Sequence, residues 1–179
     1  MFGRQTGIEM KRITHITPHF AVSSVLSPDD FPSIAAMGFR SVISNLPDGE
    51  AEAHPSSHEA AALARQAGLE YRHVPVVKTD IFSERSVQGL DGALRELPAP
   101  VLAHCASGLR SAIAWAAVAV RSQSADCVLA KLKAAGFDLE IIRDDLNAWS
   151  DCTPAAPMPA APMPAVLDAG CADPGSAPA

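Results

Sequence analysis

The chain has 179 residues, a formal net charge of −6 and 48% hydrophobic residues, the length of one domain and the composition of a globular, non-fibrous protein. Its longest apolar runs, such as Ala112 to Val120, fall well short of the roughly 18 to 20 residues that a membrane helix requires, so no membrane span is expected. The 14 lysines and arginines are scattered and the pI is near 5.4, which excludes the electrostatic footprint of a nucleic-acid or anionic-membrane binder.

Residues 1–12 carry no apolar stretch between a basic start and a small-residue cleavage site, so they read as a short extension without a secretory signal, with Met10 as an alternative initiator. Two short β-branched or aromatic runs follow, Ile13 to Ile16 and Phe20 to Val22. Ser27 is the expected N-cap of a helix from about Pro28, with Asp29 and Asp30 in its first turn and Gly38 at its end. Ser41 to Asn45 reads as a buried strand. Ser56-Ser57-His58-Glu59 has capping-box spacing and opens an Ala-rich helix that Gly68 closes. Leu69 to Val77 reads as the next strand, Ser83 caps a helix through Leu97, and Val101 to His104 is a short apolar strand. Helices are then expected over Arg110 to Val120, Ser124 to Gly136 and Ile141 to Trp149.

Composition changes after Thr153, where residues 154–179 hold seven of the 15 prolines and repeat Ala-Ala-Pro-Met-Pro-Ala. Such a segment buries too little apolar area to offset its ordering entropy, so a disordered tail is expected there and a single domain over residues 13–153. Helices alternating with short strands give an α/β fold: a mainly parallel sheet flanked by helices on both faces, with ligands beyond the carboxyl ends of the strands. Cys105, Cys127, Cys152 and Cys171 show no compact spacing, so free thiols and a cytoplasmic location are expected.

The chain has no G-x-G-x-x-G and no G-x-x-x-x-G-K-[ST], so nothing supports a dinucleotide or nucleoside-triphosphate site. Its chemistry is concentrated in Val101-Leu102-Ala103-His104-Cys105-Ala106-Ser107-Gly108-Leu109-Arg110-Ser111, a strand, a tight loop and a helix start. A loop turning directly from strand into helix points successive amides at one spot, and the helix dipole adds to their field. The same field favours thiolate at Cys105, as a catalytic cysteine requires. Cys105 is therefore the expected nucleophile, within an anion-binding loop of His104, Ala106, Ser107, Gly108 and Leu109. Gly108 would let the backbone approach the ligand, Arg110 would offer a planar fork to two oxygens, and Ser111 would donate to the sulfur or a leaving group. His104 would orient the loop. His54 and His58, although spaced H-x-x-x-H, read as solvated loop histidines because Pro55 and the Ser56 cap place His54 ahead of the helix, and no metal is expected. Asp48 and Glu50 read first as turn chemistry, and Trp115 and Trp149 as core.

H-C-x-S-G-x-R-S after a short apolar strand resembles the phosphatase-like domain of the beta-lactamase-hydrolase-like family. The likeness extends to Gly38-Phe39-Arg40-Ser41-Val42-Ile43-Ser44-Asn45-Leu46-Pro47-Asp48-Gly49-Glu50, to Ala67 through Val76 and to Ala134 through Leu139. Leu46 departs from it, standing where the family commonly places an arginine. The resemblance implies a fold like that of dual-specificity phosphatases, a site-facing role for the Asp48 to Glu50 turn, and, from fused relatives, a persulfide-oxidising enzyme as partner.

Loop length favours one chemistry within that fold. Tyrosine phosphatases resemble H-C-x-x-G-x-x-R, with five residues between cysteine and arginine, whereas Cys105 and Arg110 are separated by four, as in rhodanese-type sulfurtransferases. The tighter ring of amides is expected to suit a persulfide sulfur better than three phosphoryl oxygens. The expected function is thus cofactor-free sulfur transfer, from a small anionic donor such as thiosulfate or a low-molecular-weight persulfide, through Cys105, to a thiol acceptor. Cys171 in the tail reads as incidental to it. The alternative is a cysteine-dependent phosphatase acting on a phosphate ester with Asp80 as general acid, although Asp80 also reads as a solvated acid ahead of the Ser83 cap. A third reading is a noncatalytic anion-binding or thiol-sensing module.

Overall fold

In the computed structural model, which describes residues 13–52 and 54–151, strand β1 (Thr14–Thr17) turns back on β2 (Phe20–Ser23) as an antiparallel pair. The remaining strands are β3 (Ser41–Ser44), β4 (Glu70–His73) and β5 (Val101–His104), and all their pairings are parallel. Sheet order is β1-β2-β5-β3-β4, which puts β5 at the centre with Ser23 and Ser44 flanking His104. The extension, the proline-rich tail, Cys152 and Cys171 lie outside the described residues.

Helices α1 (Asp30–Ala36), α2 (Ser57–Gln66), α3 (Glu84–Glu96), α4 (Leu109–Ala119), α5 (Ala125–Ala134) and α6 (Arg143–Asp151) cover the sheet, with a 3-10 turn at Glu140–Ile142 leading into α6. Strand residues point alternately to opposite faces, so each strand feeds two cores. Phe20, Val22, Ile43, Val101 and Ala103 pack against α3 to α6, where Trp115, Leu90, Leu132 and Leu146 are fully buried. Ala21, Val42 and Leu102 pack on the other side against Phe31 and Ile34 of α1 and Ala60 and Ala64 of α2. A fully buried Leu or Phe contributes about 1.5–3 kcal/mol, and both layers meet on β5, which holds the candidate nucleophile at its carboxyl end. Trp149 is only partly buried at the edge of the larger core.

The structure corrects two local expectations. Helix α1 starts at Asp30 and Ser27 is not its cap; instead the Ser27 amide (2.6 Å) and hydroxyl (2.7 Å) both donate to Asp30 Oδ2. Cys127, buried in α5, is disulfide-bonded rather than free, while Cys105 is a free thiol, so the expectation of reduced cysteines fails at Cys127. Among the described residues no helix is long and apolar enough to cross a membrane.

Candidate active site

The chain leaves β5 at His104, passes through Cys105 and three bends, and enters α4 at Leu109. Cys105 is 1% exposed, and its Sγ accepts a hydrogen bond from the Gly108 amide at 3.1 Å. The sulfur thus lies against the amino end of α4, where helical amides lack internal partners. Gly108 is the N-cap with φ +88°, and a Cβ there would stand 3.3 Å from the Ser23 carbonyl oxygen. Its close approach is therefore to the β2 backbone and not, as expected from sequence, a provision for the ligand alone. Ala106, Ser107 and Leu109 are exposed and form the rim of the cradle.

Arg110 is buried, its side chain only 5% exposed, and its fork is already engaged. Nη1 donates to the Val76 carbonyl at 2.8 Å and to Glu50 Oε2 at 3.2 Å, while Nη2 donates to Glu50 Oε1 at 2.5 Å. The outer edge of the guanidinium, expected to hold an oxyanion, instead holds Glu50. Among the described residues Nε is buried without a hydrogen-bond partner, so the edge shared by Nε and Nη2 is what Arg110 can offer to a bound anion. Hydrogen bonds from Arg110 hold the Glu50 carboxyl below the ordinary carboxylate range against its own desolvation, and the charges of Arg110 and Lys78 add to the effect.

Glu50 belongs to the loop between β3 and α2, which is fastened at several points. Asp48 accepts the Ser57 amide at 2.8 Å and the Ser57 hydroxyl at 2.7 Å, bonds that lower its pKa, and so caps the amino end of α2 beside the Ser56 and Glu59 capping box. The Leu46 carbonyl lies 3.0 Å from His73 Nε2, and the Leu46 side chain is buried. His54 is not the solvated histidine expected. Its Nδ1 lies 2.9 Å from the Leu26 carbonyl, and its ring meets that of His104 edge to face, with centroids 4.7 Å apart and planes at 60°. His58, the second residue of α2, is exposed.

Two further expectations fare differently. Ser111 is fully buried, yet among the described residues its Oγ has no hydrogen-bond partner and makes no bond to the sulfur. Asp80 is exposed in the turn before α3, where its carbonyl accepts from the Ser86 hydroxyl at 3.0 Å. It lines a cavity of about 370 Å³ with Lys78, Phe82, Ser83 and Ile113, the last of these one turn along α4 from Arg110. The structure brings Cys105, Gly108, Arg110, His104 and Glu50 together, adds His54, and leaves Asp80 at the cavity margin.

Residues 12–125 match the family described as beta-lactamase hydrolase-like protein, phosphatase-like domain, which is well over half of the chain. The chain belongs to this family. A beta-lactamase hydrolase-like protein of Xylella fastidiosa is 38% identical over 130 residues, covering 72% of this chain but only 30% of its relative, so the chain spans under a third of the length of such relatives. A candidate phosphatase from Neisseria meningitidis has a similar crystal structure, with 29% identity, a TM-score of 0.66 and coverage of 76% of this chain and 97% of the other. Tk-PTP in its active form shares the fold at 19% identity, with a TM-score of 0.57 and coverage of 79% and 97%. The chain thus shares with these structures the fold of a central sheet flanked by helices.

Proposed function

We propose that this domain hydrolyses phosphoric monoesters through a covalent thiophosphate on Cys105. The supporting observation is the buried sulfur held by the Gly108 amide at the start of α4, with the Nε edge of Arg110 unspent. In the first step the Cys105 thiolate attacks phosphorus, an S–P bond forms, and the P–O bond to the leaving alcohol breaks as Asp80 gives that oxygen its proton. In the second step water attacks phosphorus, the S–P bond breaks, inorganic phosphate departs, and a proton returns to Asp80. Loop amides and Arg110 Nε hold the phosphoryl oxygens throughout. This needs no cofactor, and it places a phosphate ester as substrate.

One observation favours the sulfur-transfer reading, namely the four residues between Cys105 and Arg110. There the thiolate would attack the outer sulfur of thiosulfate, release sulfite, and carry a persulfide to an acceptor thiol. The likeness to phosphatases gives that reading no support, and we place it second. Turnover of p-nitrophenyl phosphate separates the two. The expected result is hydrolysis that falls at least about 10³-fold in Cys105→Ser and about 10²-fold in Asp80→Asn. No hydrolysis, together with a gain of one sulfur atom on Cys105 after thiosulfate, read by intact mass and discharged by cyanide, would reverse the order.

A further inference from the structure

We infer that His54 is a positioning residue for the nucleophile, acting through His104, so that the loop between β3 and α2 fixes both sides of the anion cradle. The inference rests on Cys105 being the reactive group of the site, but not on which reaction it performs. His104 is fully buried at the end of β5, and the next residue is Cys105. Its imidazole is met edge to face by His54 at 4.7 Å, a geometry in which the position of one ring restricts the other. His54 is itself held. A carbonyl only accepts, so the contact with the Leu26 oxygen requires the proton on Nδ1 and fixes both the tautomer and the plane of the ring. Nε2 is buried without a hydrogen-bond partner among the described residues, so no solvent contact pulls the ring away.

Four residues earlier in the same loop, Glu50 grips Arg110 by two hydrogen bonds. Between and around these points the loop is tied by Asp48 to Ser57 at the start of α2. One short segment therefore contacts the residue before the nucleophile and the arginine five residues after it. Displacing His54 removes one restraint on the His104 ring, the buried side chain that immediately precedes Cys105. The orientation of the thiolate is what suffers. Binding of the anion by the loop amides and Arg110 persists.

The test uses the full chain with His54→Asn, which can keep the bond to Leu26 but loses the ring, His54→Phe, which keeps a ring against His104, and His58→Ala, an exposed nearby histidine in the first turn of α2. Cys105 alkylation by iodoacetamide is measured beside kcat and KM for p-nitrophenyl phosphate and the thermal midpoint. In His54→Asn, alkylation and kcat are expected to fall about tenfold while KM moves less than about twofold. His54→Phe is expected to regain most of that loss, and His58→Ala to match the wild type. Wild-type rates in a folded His54→Asn, a loss confined to KM, or a His54→Phe no better than His54→Asn would each overturn the inference. Should His54→Asn not fold, alkylation of His54→Phe against wild type decides, a tenfold loss counting against ring-mediated positioning. A wild-type protein inert toward p-nitrophenyl phosphate would remove the phosphatase reading alone, since alkylation still measures how the sulfur is presented.

Discussion

Arg110 and Glu50 show how a side chain's role depends on which of its edges is taken. A guanidinium with five donors can satisfy a carboxylate and a carbonyl and still present Nε to a ligand, which a lysine could not do. Replacing Glu50 with Gln would leave the buried Arg110 charge facing neutral acceptors only. For a fully buried pair that loss is about 3–5 kcal/mol, but solvent screening of the partly exposed Glu50 reduces it to about 1–2 kcal/mol. A denaturation midpoint in urea would measure it, and kcat/KM for a phosphate ester is expected to fall as Arg110 loses its orientation. The sign with pH follows from the lowered pKa. Glu50 stabilises the fold above its ordinary value of 4.5, and that contribution is lost as pH falls through the depressed folded value. Thermal midpoints recorded from about pH 5 to about pH 3 should therefore fall less in Glu50→Gln than in the wild type. The curve will not become flat, because the Asp48 carboxylate, lowered by its bonds to Ser57, titrates in the same direction.

Elements whose boundaries are written in neighbouring residues were readable from the sequence. The caps at Ser56, Ser83 and Ser124 each accept an amide three residues on; the first two were expected as caps and Ser124 only as the start of its helix. Strand β5 and helix α4 were legible for the same reason, and with them the place of Cys105. Long-range contacts were hidden. The residues around Glu50 read as turn chemistry, and only the family resemblance turned it toward the site without naming a partner 60 residues away; nothing near His54 announces Leu26 or His104. Strand β4 is shorter than the expected Leu69 to Val77 strand because Pro75 has no amide to give, although the Val74 and Val76 amides still reach β3 and Asn45. The junction of β5 and α4 depends on Gly108 in two ways, its positive φ and its contact with Ser23. Gly108→Ala should cost about 1–3 kcal/mol from backbone strain alone and displace the amide that holds the sulfur. Circular dichroism melts would give the first effect and iodoacetamide kinetics at Cys105 the second; an unchanged alkylation rate would mean that the Gly108 hydrogen bond does not hold the thiol in place.

At the scale of the molecule, the sheet separates two apolar layers that share only the strands, and β5 lies between β2 and β3, all three buried on both sides. A cavity made in one layer is lined by α1 and α2, and one made in the other by α3 to α6, so neither relaxation needs to pass through the sheet. Ile34 on α1 and Ile43 on β3 lie in opposite layers, 2% and 0% exposed. Ile34→Val and Ile43→Val should each cost about 0.5–1.5 kcal/mol. If the layers are mechanically independent, the double variant should lose their sum to within about 0.5 kcal/mol. Urea midpoints at constant m-value measure all three. A larger departure from additivity would mean that β3 transmits the repacking of one layer to the other. Because β3 flanks β5 at His104, such strain would reach Cys105, and the double variant would then show slower alkylation than either single one. Additive stability with unchanged thiol kinetics would instead place the rigidity of the site in the loop contacts of Glu50, His54 and Gly108.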